Sequence, residues 1–267
     1  MADGAQEAPV LLREDAGGVA TLTLNRPAQL NALSEALLTA LQEAFDALAA
    51  DATTKVVVLR GAGRAFCAGH DLREMEQARQ APDGGRAYFN ALFAQCARMM
   101  TSIARLPQPV IAEVHGLATA AGCQLVASCD MAVASSEAKF GVNGVNIGLF
   151  CSTPMVALTR NIPAKHAFEM LTTGGFIDAE RAERLGLVNR VAAPEALGEA
   201  TRALAETVAG KLAVAVRIGK RAFYEQAEMT LDAAYAHTGR VMAENMIHRD
   251  TAEGVAAFLE KRAPRWS

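Results

Sequence analysis

The sequence predicts an α/β fold with a helical C-terminal region, on three observations. Lys55 to Ala62 (KVVVLRGA) and Pro109 to Gly116 (PVIAEVHG) are continuous apolar runs of the kind that form strands buried on both faces. Each runs into a segment of small residues that is followed by apolar side chains at helical spacing. From about Pro163 strand patterns nearly cease, and Ala-rich segments with charged faces take over.

The elements follow in order. Val10 to Asp15 and Val19 to Asn25 flank Ala16-Gly17-Gly18 and read as a hairpin with a glycine turn. Asn25-Arg26-Pro27 breaks the second strand, and Ser34 caps a helix with Leu37, Leu38, Leu41, Phe45 and Leu48 on one face. After KVVVLRGA and a loop, Ala81 to Gly85 interrupts the chain. Tyr88, Leu92, Cys96, Met99 and Ile103 then mark a long helix that stops before Pro107-Gln108-Pro109. Past PVIAEVHG, Thr119 is expected to open a helix through TAAGCQLVAS. Cys129 to Ser135 and Lys139 to Asn143 are expected strands, and a helical stretch begins at Ser152 and Pro154. In the last third Leu187 to Val191 is the one convincing strand pattern. These patterns divide the chain into an α/β core over 1–195 and a helical region over 196–267 whose apolar faces suit assembly.

A chain of 267 residues with 51% hydrophobic content is long enough to bury a large core. Its net charge of −3 leaves no basic excess for nucleic acid. Cys67, Cys96, Cys123, Cys129 and Cys151 are odd in number and lack C-x-x-C spacing, so neither a disulfide framework nor a metal site is expected. MADGAQEAPV has no basic and apolar signal pattern, and no apolar run reaches membrane-spanning length, which gives a cytoplasmic expectation with no membrane partner.

The chemistry concentrates in Arg64 to Leu72 (RAFCAGHDL) and His115 to Leu125 (HGLATAAGCQL). Alanine, glycine and cysteine leave the main chain uncovered, so its N–H groups can reach a ligand. Two such donors aimed at one carbonyl oxygen stabilise the negative charge that develops on a reacting thioester, and a helix starting near Thr119 adds its positive end. Close helix packing explains TAAGC equally well at this stage. Dinucleotide binding fails because Phe66 stands where G-x-G-x-x-G needs its third glycine, and the P-loop, H-E-x-x-H and G-x-S-x-G patterns are absent.

RPAQLNAL, AFCAGHDL, HGLATAAGCQLVASCD and the ending FLEKRAPRW together resemble the enoyl-CoA hydratase/isomerase (crotonase) superfamily over nearly the whole chain. The resemblance implies a crotonase-like spiral of ββα units, a C-terminal helical region and assembly into homotrimers or homohexamers. It implies an enzyme of lyase or isomerase type whose partner is an acyl-CoA thioester, with no cofactor beyond the coenzyme A of the substrate. By the same resemblance the oxyanion N–H groups belong to His70 and Ala121. Ala28, Ala68, His70, Asp71 and Leu72 match the coenzyme A path, and Phe258 and Lys261 match a C-terminal contact with it.

Two departures set this chain apart. The two glutamates that hydratases of this family use correspond here to Gln124 and Gly144, and no Asp or Glu lies between Glu137 and Glu169. An amide cannot exchange a proton as a carboxylate does, and glycine has no side chain. GVNIGLFCSTP and EKRAPRW resemble a glutamate-poor branch of the superfamily. The expected function is therefore thioester polarisation with classical hydration in doubt; the alternative is a non-catalytic acyl-CoA binding or regulatory module. Other side chains have structural readings beside chemical ones: the His70 ring, Cys151 as nucleophile or buried thiol, Asn143 and Asn146 as ligands or turn residues, and Asp130 as a structural partner.

Overall fold

The computed structural model describes residues 8–266, so the opening MADGAQE lies outside the described residues. The hairpin is β1 (Leu11–Ala16) and β2 (Val19–Leu24), turned through Gly17 and Gly18 at positive φ. A 3-10 turn at Pro27–Gln29 leads to α1 (Glu35–Ala50), capped by Ser34, whose side chain accepts from the Leu37 N–H. Then come β3 (Val56–Gly61), β4 (Ala65–Cys67), α2 (Leu72–Ala78), α3 (Arg86–Arg105), β5 (Val110–Val114), β6 (Leu117–Thr119) and α4 (Ala121–Ser128). They are followed by β7 (Met131–Ser135), β8 (Lys139–Gly141), a 3-10 turn at Asn143–Ile147, α5 (Pro154–Asn161), α6 (Ala164–Thr173), β9 (Phe176–Asp178), α7 (Ala179–Leu185) and β10 (Arg190–Ala192). The chain ends in α8 (Leu197–Ala209), α9 (Ala213–Gln226), α10 (Leu231–Met246) and α11 (Arg249–Leu259).

The long apolar strands and the short ones after them go to different sheets. β1, β2, β3, β5, β7 and β10 form a six-stranded sheet in that order, and β4, β6, β8 and β9 form a four-stranded one. Each of β3–β4, β5–β6 and β7–β8 therefore steps from the first sheet to the second, and successive pairs stack in parallel, which makes the ββα spiral. β4, β6 and β9 escape the sequence patterns because three residues are too few for a periodicity. The last expected strand lies slightly later than LVNRV, at Arg190–Ala192.

The central strands β3 and β5 of the six-stranded sheet are covered on both faces, which is why they read as unbroken apolar runs. Leu22, Leu24, Val57 and Leu59 face α1 and α3, where Leu37, Leu41, Phe45, Leu92, Met99 and Ile103 are buried. Val56, Val58, Ile111 and Val133 face α8, through Leu197, Leu204, Ala205 and Ala209.

The next helix is fastened by charge. The Lys220 ammonium of α9 donates to the carbonyls of Ile103 (2.8 Å) and Gln108 (2.9 Å) and to Asp130 Oδ2 (2.6 Å). Asp130 also accepts from the Val110 N–H and the Tyr224 hydroxyl, so its role is structural, as expected. Burial lowers the Lys220 pKa, and the charge of Asp130 opposes that. Beyond α9, α10 packs on α9 and α11 on α10, leaving Leu231, Tyr235, Met242, Ile247, Phe258 and Leu259 exposed.

Candidate active site

The site forms where β4, β6 and β8 end side by side. Cys67 pairs with Ala118 and Thr119 with Gly141, so the next residues of all three strands emerge at one edge of the small sheet. These are Ala68 to Asp71, Ala120 to Ala121 and Val142 to Gly144. In parallel sheets this carboxyl edge is where ligands bind.

The first two segments touch. A Cβ on Gly69, at φ +92°, would stand 3.0 Å from the Ala120 Cβ, 3.2 Å from the Thr119 carbonyl and 3.4 Å from the Ala121 nitrogen. Only glycine fits both this backbone and this approach. At the residue after Ala121, a Cβ on Gly122 would meet the Cys67 carbonyl at 2.1 Å, so α4 lies directly on β4. TAAGC thus serves close helix packing.

The N–H groups of His70 and Ala121 donate to no acceptor among the described residues. Ala121 is the first residue of α4, where the helix N–H groups have no intrahelical partner and the dipole is positive. Thr119 does not cap this helix as expected. It ends β6, its hydroxyl donates to Asn143 Oδ1, and Ala120 occupies the cap at φ +50° without a side-chain bond. The helix entrance stays open because its cap is an alanine.

The NRPAQLNAL segment, whose residues 25–27 break β2, holds the His70 loop. Ala68 N donates to Leu30 O (3.0 Å), Leu33 N to Gly69 O (2.7 Å) and Asp71 N to Leu33 O (3.3 Å). Arg26 pairs with Asp71 at 2.9 Å, and Asp71 caps α2 by accepting from the Arg73 N–H. The fully buried Asn31 donates to the Ala62 and Ala65 carbonyls, both at 2.8 Å, and accepts from the Arg26 N–H. The available signal was an Asn after Leu30, since Asn tolerates the left-handed backbone found here (φ +54°).

Gln124 and Gly144 differ sharply in their surroundings. Gln124 is buried on α4, one turn past Ala121, and no described group bonds its Oε1. A Cβ on Gly144 would lie 2.2 Å from the Leu149 carbonyl and 2.9 Å from Cys151 Sγ. The Gly148 to Ser152 turn therefore fills the space through which a side chain at 144 would leave. Burial raises the Cys151 pKa, and among the described residues no acidic or imidazole group acts on this thiol, so nothing there activates it as a nucleophile. Burial likewise raises Cys67, Cys96 and Cys123 to about 12. Asn143 accepts from Thr119 and Asn146 donates to the Gly174 carbonyl, so both have structural partners.

The remaining positions matched to coenzyme A divide in two. Asp71 is buried, Ala68 half-buried, and Ala28 and Leu72 are exposed around the His70 loop. Phe258 and Lys261 are exposed at the end of α11, which packs on α10 rather than on the elements carrying His70 and Ala121.

Residues 14–267 match the family model described as enoyl-CoA hydratase/isomerase. Enoyl-CoA hydratase domain-containing protein 3, mitochondrial, of Xenopus laevis is 43% identical over 262 residues, covering 98% of this chain and 87% of that protein. A crystal structure of an enoyl-CoA hydratase from Mycobacterium smegmatis superposes with a TM-score of 0.93 at 56% identity, covering 97% of this chain and 99% of that one. The human enoyl-CoA hydratase domain-containing protein 3 superposes with a TM-score of 0.92 at 42% identity, covering 96% and 100%. The Xenopus, rat and human relatives are named as mitochondrial, which overturns the cytoplasmic expectation drawn from the opening residues. No helix among the described residues is long and apolar enough to cross a membrane. With the spiral fold, the paired strand-end segments and a match over nearly its full length, this chain belongs to the enoyl-CoA hydratase/isomerase family.

Proposed function

We propose that the protein binds an acyl-CoA thioester, polarises its carbonyl between the His70 and Ala121 N–H groups, and acts on the acyl group by a route other than hydration. One observation supports this reading: two main-chain donors without an acceptor among the described residues lie in segments that touch at a strand edge, while Gln124 and a sterically closed Gly144 stand where hydratases of the family are expected to carry glutamates. Each oxyanion donor of this kind is worth about 2.7–4 kcal/mol to a developing charge. Gln124 faces the reacting group as a hydrogen-bonding amide and moves no proton. Ala28, Ala68, Asp71 and Leu72 line the coenzyme A path. Phe258 and Lys261 reach coenzyme A across a subunit boundary, in a homotrimer or homohexamer that covers the exposed apolar side chains of α10 and α11.

Crotonyl-CoA tests the reading. Calorimetry is expected to show binding, and loss of the enoyl absorbance is expected to stay far below ordinary turnover, about 1–10³ s⁻¹. Turnover in that range refutes the non-hydratase assignment. Failure to bind any CoA thioester refutes the acyl-CoA assignment, including its alternative as a binding module without chemistry.

A further inference from the structure

The main chain that delivers the Ala121 N–H is held against its own preference. Among the described residues, Leu30, Asn31, Ala120 and Lys261 are the non-glycine residues at positive φ. Leu30 and Asn31 belong to the segment that holds the His70 loop, and Ala120 immediately precedes the second donor. Ala120, at φ +50° and ψ −119°, lies outside even the small left-handed helical region, in a conformation that glycine enters freely and alanine does not. Such backbone persists only where its surroundings over-determine it.

Three hydrogen bonds surround Ala120. The peptide before it is fixed to β8, because Ala120 N donates to Gly141 O (2.9 Å). The peptide after it is fixed to α4, because Ala120 O accepts from Gln124 N (3.0 Å). A trans peptide points its N–H opposite to its C=O, so this second bond aims the Ala121 N–H out of the helix entrance. The third bond is made by side chains. Thr119, 7% exposed, donates its hydroxyl to Asn143 Oδ1. That bond carries the β6–β8 pairing past its last matched residues, Thr119 and Gly141, to where one strand leaves for α4 and the other for the 3-10 turn. Neither side chain has a use in the chemistry above.

We propose that Thr119 and Asn143 are positioning residues: their hydrogen bond keeps Ala120 in its strained conformation and thereby aims the Ala121 N–H at the thioester oxygen. The inference rests on the acyl-CoA reading given under Proposed function. Without the bond the end of β6 frays from β8, Ala120 relaxes to negative φ, and the peptide that carries the donor turns with it. A glycine at 120 has no such preference and keeps the aim without help.

Isotope-edited infrared spectroscopy of bound butyryl-CoA, labelled at its thioester carbonyl, tests it. A carbonyl frequency below that of free butyryl-CoA is expected in the unaltered protein and in Thr119→Ser, which keeps the hydroxyl. Thr119→Val keeps the shape and loses the hydroxyl, and most of the lowering is expected to vanish. Asn143→Leu breaks the same bond from the other side and is expected to act alike. Adding Ala120→Gly to either variant is expected to restore the lowering. A merely structural bond predicts no such rescue, because glycine supplies no contact in place of the one lost. An undiminished shift in Thr119→Val or in Asn143→Leu overturns the inference and leaves the acyl-CoA reading standing. A loss that Ala120→Gly does not restore overturns the route through backbone strain. No binding of butyryl-CoA, or no shift in the unaltered protein, overturns the polarisation reading and this inference with it.

Discussion

Replacing Gly122 with alanine separates the packing role of α4 from its chemical one. The new Cβ would sit 2.1 Å from the Cys67 carbonyl oxygen, 2.7 Å from its carbon and 2.9 Å from the Cys67 Cβ. None of these is a flexible side-chain end, so α4 must move about 1 Å away from β4 to restore ordinary contact. The helix gains at most about 1 kcal/mol from exchanging glycine for alanine, against about 1–3 kcal/mol for overpacking, so the clash wins. Net destabilisation of about 1–2 kcal/mol lowers Tm by roughly 2–8 °C in a chain of this size. The same movement carries Ala121 away from the loop that follows Cys67, widening the gap between the two N–H groups. Infrared spectroscopy of bound acyl-CoA reads this directly, because a polarised thioester carbonyl absorbs at lower frequency than a free one. The shift is expected in the unaltered protein and to shrink in Gly122→Ala. Gly219→Ala in α9 is the control, since a Cβ there meets nothing within 4 Å. An unchanged Tm with a full carbonyl shift in Gly122→Ala refutes the argument.

Gly144→Glu is expected to lower Tm and to create no hydratase activity toward crotonyl-CoA, even combined with Gln124→Glu, because the Leu149 carbonyl blocks the path of the new side chain. Measurable hydration by the double variant shows that the Gly148 to Ser152 turn yields. Asp130→Ala is expected to cost about 3–5 kcal/mol in urea unfolding, because Lys220 is left charged and buried. The pair Asp130→Asn with Lys220→Met is expected to cost less, and equal costs argue against charge as the cause. His70, lowered from its ordinary 6.5 to about 4, makes the unfolded chain the tighter proton binder between those values. Its contribution to stability is complete above pH 6.5 and is lost as pH falls toward 4, reaching about 3 kcal/mol at most. Urea midpoints at pH 7 and pH 5 are expected to differ less in His70→Phe than in the unaltered protein; the same difference in both excludes His70.

The elements legible in the sequence were those long enough to show a period. The buried faces of α1 and α3 fall on the expected leucines and on Cys96, Met99 and Ile103. The double coverage of β3 and β5 was visible as unbroken valine and isoleucine. The site's anchor was visible as an excess of alanine and glycine. The support beneath it was not, because Asn31 and Arg26 act through main-chain carbonyls and through Asp71, 45 residues further along for Arg26. The closure at Gly144 also escaped, since a missing side chain in a sequence does not reveal whether the space it would need is open. Thr119 misled for a related reason: its hydroxyl had a choice between a helix N–H and the Asn143 side chain, and only the packing of β6 on β8 decides that.

The proposed anchor is written in main chain rather than in side chains, and much of its lining, Ala68, Ala120 and Ala121, is already alanine. A scan that truncates each residue to alanine is therefore blind to it and reports only the walls around it. Divergence among relatives meets the same asymmetry. Substitution readily rewrites side-chain walls but cannot delete an N–H group short of introducing proline. If the proposed anchor holds, specificity and reaction type are free to drift around it, which makes the walls, not the anchor, the place to look for what distinguishes this chain.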